Sequence, residues 1–240
     1  MPYRQAILLM VIDCVQLMLS FDKQLFLSEM IENMSWQFDL KSGELTIGSQ
    51  YVFQTQVLGT EEESSGTWLW AWANEASDIP HQLLHASRTM KAFGDRHGIS
   101  ELTDPEVSLD QIDGHTLALI SSEICKANAY YRCPYHGGAL FLLIVDQNFP
   151  KRTDQFLNRI SFVFSKAIAS LNISDHKAAF TGYLNYHNLA FAQSGNQVIV
   201  EENGEPVVIA TFDDENRLTN LEVTLKPTVI GTSSPRDLAI

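Results

Sequence analysis

His81 and His85 stand four residues apart in His81-Gln82-Leu83-Leu84-His85, the spacing at which two imidazoles share one helix face and can hold a metal ion. The zinc-protease pattern sets a glutamate at the second position, because that carboxylate is the general base. Here Gln82 occupies it and takes no proton at neutral pH, so that mechanism fails on its own terms. Two partly exposed polar side chains at the start of a helix account for the pair without a metal. A third ligand would have to come from His97 or His136, and sequence alone brings neither near. Cys133-Pro134-Tyr135-His136 puts a thiol and an imidazole in one loop, a combination able to activate a nucleophile or bind zinc. Catalytic partners more often come from separate segments, so an ordinary loop is the better account. No metal and no cofactor is expected on this reading.

The acidic runs Asp104-Pro105-Glu106-Val107-Ser108-Leu109-Asp110 and Asp213-Asp214-Glu215 lack the ligand register and central glycine of an EF-hand loop and read as solvated turns. The sequence holds no phosphate-cradling G-x-x-x-x-G-K, dinucleotide G-x-G-x-x-G or nucleophile-elbow G-x-S-x-G. The concentrated signal is aromatic. Thr67-Trp68-Leu69-Trp70-Ala71-Trp72-Ala73-Asn74 carries three of the four tryptophans at every second position. In an extended strand such residues share a face, so Trp68, Trp70 and Trp72 are expected to form one stripe, with Leu69, Ala71 and Ala73 behind it. Aligned indoles form either the core between a sheet and its helices or the wall of a binding concavity, and the apolar opposite face favours burial. Asn74 stands where a loop begins, as a cap or as a polar contact.

The elements that position these residues follow from patterning. A length of 240 residues with 45% hydrophobic content supports a substantial core and excludes wholesale disorder. The 29 acids against 16 bases give a net charge of −13, which repels phosphate backbones and anionic membrane surfaces, so neither nucleic acid nor membrane is expected as a partner. Three cysteines without a paired spacing argue against a disulfide framework and for a reducing, cytoplasmic setting. The stretch from Ala6 to Leu19 is too short to span a bilayer and is broken by Asp13 and Gln16, so it reads as a buried or interfacial helix.

An amphipathic helix is expected over Ile12 to Met34. Strands follow at Trp36–Leu40, Glu44–Ile47 and Tyr51–Leu58, then a turn over Gly59–Gly66 and the tryptophan strand, an antiparallel meander. Pro80 opens a helix ending at Gly94 or Gly98, a second helix covers His115 to Tyr131, and Ala139 to Val145 forms a buried strand. Helices over Asp154–Leu171 and from a Ser174 cap to Leu189 precede strands at Gln197–Val200, Pro206–Phe212 and Leu218–Leu225. Asn203-Gly204 marks a hairpin, and Lys226 to Ile240 reads as a tail.

The tryptophan block, together with Val57-Leu58-Gly59-Thr60, Trp36-Gln37-Phe38-Asp39, Ala129-Tyr130-Tyr131-Arg132 and Phe212-Asp213-Asp214-Glu215-Asn216-Arg217-Leu218, resembles the hallmark of a bacterial family of unknown function. The resemblance spans Trp36 to Leu225. It implies a soluble bacterial protein and transfers no activity.

The expected fold is therefore α+β: a predominantly antiparallel sheet packed by helices, with a C-terminal helical pair and a three-stranded meander. One compact unit over 1–240 is preferred to a division near Asn148-Phe149-Pro150. The function expected first is a non-enzymatic binding or interaction module with an aromatic-lined concavity, its ligand contacts drawn from Trp68, Trp70, Trp72, Asn74, His81 and His85. The alternatives are a hydrolase, metal-assisted through His81 and His85 or using Cys133, and a structural homo-oligomer.

Overall fold

In the computed structural model, residues 13–110, 112–152, 157, 159–171 and 173–224 are described. The expected C-terminal tail and the first residues of the Ala6–Leu19 stretch lie outside them. Asp13 begins the first helix: its Oδ1 accepts a hydrogen bond from the Val15 N–H at 2.8 Å, capping α1 (Cys14–Met30). That helix ends four residues short of Met34, because the chain turns through Asn33, whose φ is +59°.

The strands β1 (Trp36–Asp39), β2 (Glu44–Ile47) and β3 (Tyr51–Glu62) are antiparallel neighbours. β3 is the hub of a seven-stranded sheet. Residues 51–54 pair with β2, residues 59–62 with β4 (Thr67–Trp70), and residues 55–62 with β7 (Gly138–Ile144). β5 (Glu106–Ser108) lies outside β4, and β6 (Ala129–Tyr135) outside β7. The turn expected to begin at Gly59 is thus displaced by four residues. Gly59 stays in the strand because the Trp68 indole lies on it: a Cβ there would sit 2.5 Å from the ring.

The tryptophan strand is shorter than expected. It stops at Trp70, and Ala71–Ala73 forms a 3-10 turn, so Trp72 leaves the stripe. Asn74 caps the next turn, its Oδ1 accepting from the Ser77 N–H at 3.2 Å. The helix expected from Pro80 divides into a 3-10 turn (His81–Leu83) and α2 (His85–His97), which ends at Gly98 with φ +66°. A short α3 (Ser100–Thr103) follows. α4 (Gly114–Ile124) ends well before Tyr131, and residues 129–131 belong to β6, held in the ladder by β7.

Apolar faces of the sheet and of α1, α2 and α4 make a core that includes Met18, Trp68, Trp70, Met90, Leu117 and Phe141. The same cluster continues through Phe164 of α5 (Ile160–Ser170), Phe180 of α6 (His176–Tyr186) and Phe212 of β10 (Glu205–Phe212). The start of the expected Asp154 helix lies outside the described residues. The three expected C-terminal strands form as β9 (Gln197–Glu202), β10 and β11 (Leu218–Val223), with a short β8 (Ala192–Ser194) added at the edge. The Asn203-Gly204 turn has φ values of +56° and +80°, the left-handed pair that a two-residue hairpin requires.

The C-terminal helices dock on α1. Gly182 permits the crossing of α6, since a Cβ there would lie 2.3 Å from Val15 Cγ2. An ion-pair junction seals the contact. Arg152 reaches Asp22 at 2.7 Å and Glu29 at 3.0 Å, Arg159 reaches Glu29 at 2.8 Å and Asp22 at 3.5 Å, and the Tyr183 hydroxyl donates to Asp22 at 3.3 Å. Among the described residues, no helix is long and apolar enough to cross a membrane.

Candidate functional site

Trp68 and Trp70 point the same way from β4, and both are wholly buried. Their ring centroids lie 5.4 Å apart, edge to face, and Trp68 meets Phe141 at 5.1 Å. The Trp70 indole donates to the Glu101 carbonyl at 2.9 Å. These two rings are core, and neither lines a cavity described below. Trp72 is half-buried on its own turn, with the Lys91 ammonium 5.3 Å from its ring. His81 is exposed on the 3-10 turn, where its Nε2 pairs with Arg88. His85 begins α2, and its backbone N–H donates to Gln56 at 2.9 Å. The two imidazoles therefore sit on successive, different turns rather than on one helix face. Among the described residues, no group of three or more His, Cys, Asp or Glu side chains is placed to hold a metal ion.

Cys133 is buried on β6, and burial pushes its thiol up to about 12, so the sulfur is protonated at neutral pH and a poor nucleophile. His136 lies beyond it in the exposed turn before β7.

A cavity of about 500 Å³ opens between α1, α2 and the end of α4. It is larger than the polar cavity beside β4, at about 430 Å³, and the one beside Arg152, at about 300 Å³. Its apolar wall is Ala92, Phe93 and Ile124, with the Phe93 ring backed by His97 at 4.3 Å. Its depth is polar. The Glu123 carboxylate accepts a hydrogen bond from the buried Ser20 hydroxyl at 2.9 Å, and its other oxygen pairs with Lys126 Nζ. The burdens of that pair are unequal: the Glu123 side chain is 9% exposed and the Lys126 side chain 72%.

Lys126 reaches Glu123 from an unfavourable backbone. The Lys126 N–H bonds the Glu123 carbonyl at 3.2 Å and the Ala127 N–H bonds the Ser122 carbonyl at 2.8 Å. This is the helix-ending motif whose left-handed position normally takes glycine. Lys126 occupies it with φ +54°, at a cost on the order of 1 kcal/mol. Arg96 also lines the cavity and has no ion-pair partner among the described residues. Asp13 and Thr89 are engaged locally, the first as the α1 cap and the second donating to the His85 carbonyl at 2.9 Å. Two cysteines flank the site. Burial raises Cys14, reinforced by Asp13, and pushes Cys125 up to about 11.

None of this constellation was selected by sequence spacing, because Ser20, Arg96 and Glu123 come from three separate helices. The available signal was compositional: Ser20 sits in the apolar run of α1, and Glu123 lies beside the inward positions Ile120 and Ile124 of α4.

The architecture and cavity define an α+β protein in which a concavity of about 500 Å³ joins a buried carboxylate, an exposed guanidinium with no ion-pair partner among the described residues, and an apolar wall. Residues 12–147, more than half the chain and the whole of this cavity, match the model of a family of unknown function, DUF6882, and the chain belongs to that family. It matches no curated protein and no solved structure.

Proposed function

We propose that the protein is a non-enzymatic binding module for a small molecule, and that the cavity between α1, α2 and α4 is its site. The observation that carries this reading is Glu123: a carboxylate withdrawn from water at the wall of a cavity of ligand size, neutralised by a lysine that is itself in water. The left-handed backbone of Lys126 adds a local strain of the kind that concentrates at binding sites. Trp68 and Trp70 serve as the scaffold under the helices rather than as ligand contacts. The hydrolase alternative gains no comparable support, since His81 is engaged by Arg88 and the Cys133 thiol is buried and protonated.

The test is a fragment library followed by ¹H–¹⁵N chemical-shift mapping on the full chain. Shifts confined to α1, α2 and the end of α4, and abolished by Ala92→Trp, are the expected result. Shifts that persist in that variant, or a library that leaves those helices unmoved, overturn the assignment.

A further inference from the structure

We propose that the ligand is a free α-amino acid with an apolar side chain, its ammonium replacing that of Lys126 on Glu123 and its carboxylate meeting Arg96; this rests on the binding reading above. The choice of an ammonium follows from what each exchange leaves behind. A cationic ligand sends Lys126 back to water, where most of its side chain already lies, and keeps a partner on the buried carboxylate. An anionic ligand draws Lys126 away from Glu123 and leaves a charge with 9% exposure facing another anion. The net charge of −13 opposes free anions at long range as well.

Arg96 supplies the second half of the recognition. A guanidinium without an ion-pair partner, on the wall of the same cavity, offers the planar fork that takes a carboxylate through two parallel hydrogen bonds. Ala92, Phe93 and Ile124 then leave an apolar wall for the side chain. The Ser20 hydroxyl holds one Glu123 oxygen in place and leaves the other for exchange between the lysine and the ligand.

Calorimetric titration of the full chain tests this with leucine and phenylalanine, each beside its decarboxylated amine and its deaminated acid. The amino acids should bind tightest, the amines at least tenfold more weakly, and the acids not at all. Glu123→Gln should weaken the amino acids at least tenfold, and Arg96→Gln should reduce them to the level of the amines. Lys126→Met, which deletes the competing ammonium and leaves Glu123 intact, should strengthen both amines and amino acids. Tight binding of the deaminated acids, or amino-acid binding indifferent to both Glu123→Gln and Lys126→Met, overturns the proposal. Fragments that bind and are displaced by Ala92→Trp, in a protein that takes no amino acid, overturn the ligand class alone; a cavity that binds nothing overturns the site too.

Discussion

Two ion-paired regions meet α1 from different directions. At the junction with the C-terminal helices, Arg152 and Arg159 divide Asp22 and Glu29 between them, and the Tyr183 hydroxyl adds a further donor to Asp22. At the cavity, a single carboxylate is held by one serine and one lysine. Ser20 and Asp22, two positions apart on α1, point some 200° from each other around the helix, so one element serves both regions. The difference lies in who is in water. The two arginines and Asp22 are between 15% and 19% exposed and only Glu29, at 44%, is well hydrated, whereas at the cavity Lys126 is 72% exposed against 9% for Glu123. The seam shares its burial among most of its members, and the Glu123 pair leaves it to one, which is the asymmetry behind the proposed ligand exchange.

The largest expected effect is at the seam. Asp22→Ala removes an acceptor from each of Arg152, Arg159 and Tyr183, a loss of about 3 kcal/mol for breaking a largely buried network. Glu123→Gln keeps an acceptor for Ser20 and releases a lysine that is already hydrated, and it should cost less than about 1 kcal/mol. Urea unfolding of both variants decides the matter. Equal losses would mean that the Glu123 pair is as structural as the junction, and the contrast would collapse.

Sequence patterning captured the α+β class, the antiparallel meander, the C-terminal helical pair and the Asn203-Gly204 hairpin, because each rests on local periodicity or turn chemistry. It overextended β4 past Trp70. Alternation continues through Trp72, but the chain turns at Ala71, and the Trp70 backbone N–H finds the Pro105 carbonyl at 3.1 Å, a partner that no local pattern announces. It overextended α4 for the converse reason. Ala127 to Tyr131 is compatible with a helix until β7 supplies a ladder, and the stop signal at Lys126 is not a glycine. The cavity was illegible because its charged groups lie on three helices whose order in space depends on the whole core. Glu123 was the one acid in an inward-facing run that also holds Ser121 and Ser122.

That unusual stop signal gives the next test. If the Lys126 backbone is left-handed because its side chain must reach Glu123, glycine should suit the position better than alanine. Lys126→Gly is expected to be about 1 kcal/mol more stable than Lys126→Ala, since both lose the ion pair and only alanine keeps the steric penalty. Thermal unfolding of the two variants at equal concentration reads this difference directly. Equal melting temperatures would remove the strain and, with it, one of the two features that distinguish the cavity from the seam.

The smallest effect concerns pH, and at the seam it centres on His187. His187 lies against the Tyr183 ring at 4.9 Å and the Tyr186 ring at 5.3 Å, and its burial lowers its pKa below the ordinary 6.5, with Asp22 opposing the shift more weakly. A base held below its unfolded value contributes stability that is present above pH 6.5 and is lost as the pH falls through its folded value, because the unfolded chain takes up the proton first. His176, lowered mainly by burial and secondly by Arg217, acts in the same direction on α6. The melting temperature should therefore fall between pH 7 and pH 5, and His187→Gln should flatten that fall without altering the amino-acid binding proposed at Glu123. A variant with the full acid loss would place the sensitivity elsewhere, His176→Gln being the next to measure. A variant that altered ligand binding would show that the seam and the cavity are coupled through α1 instead of merely sharing it.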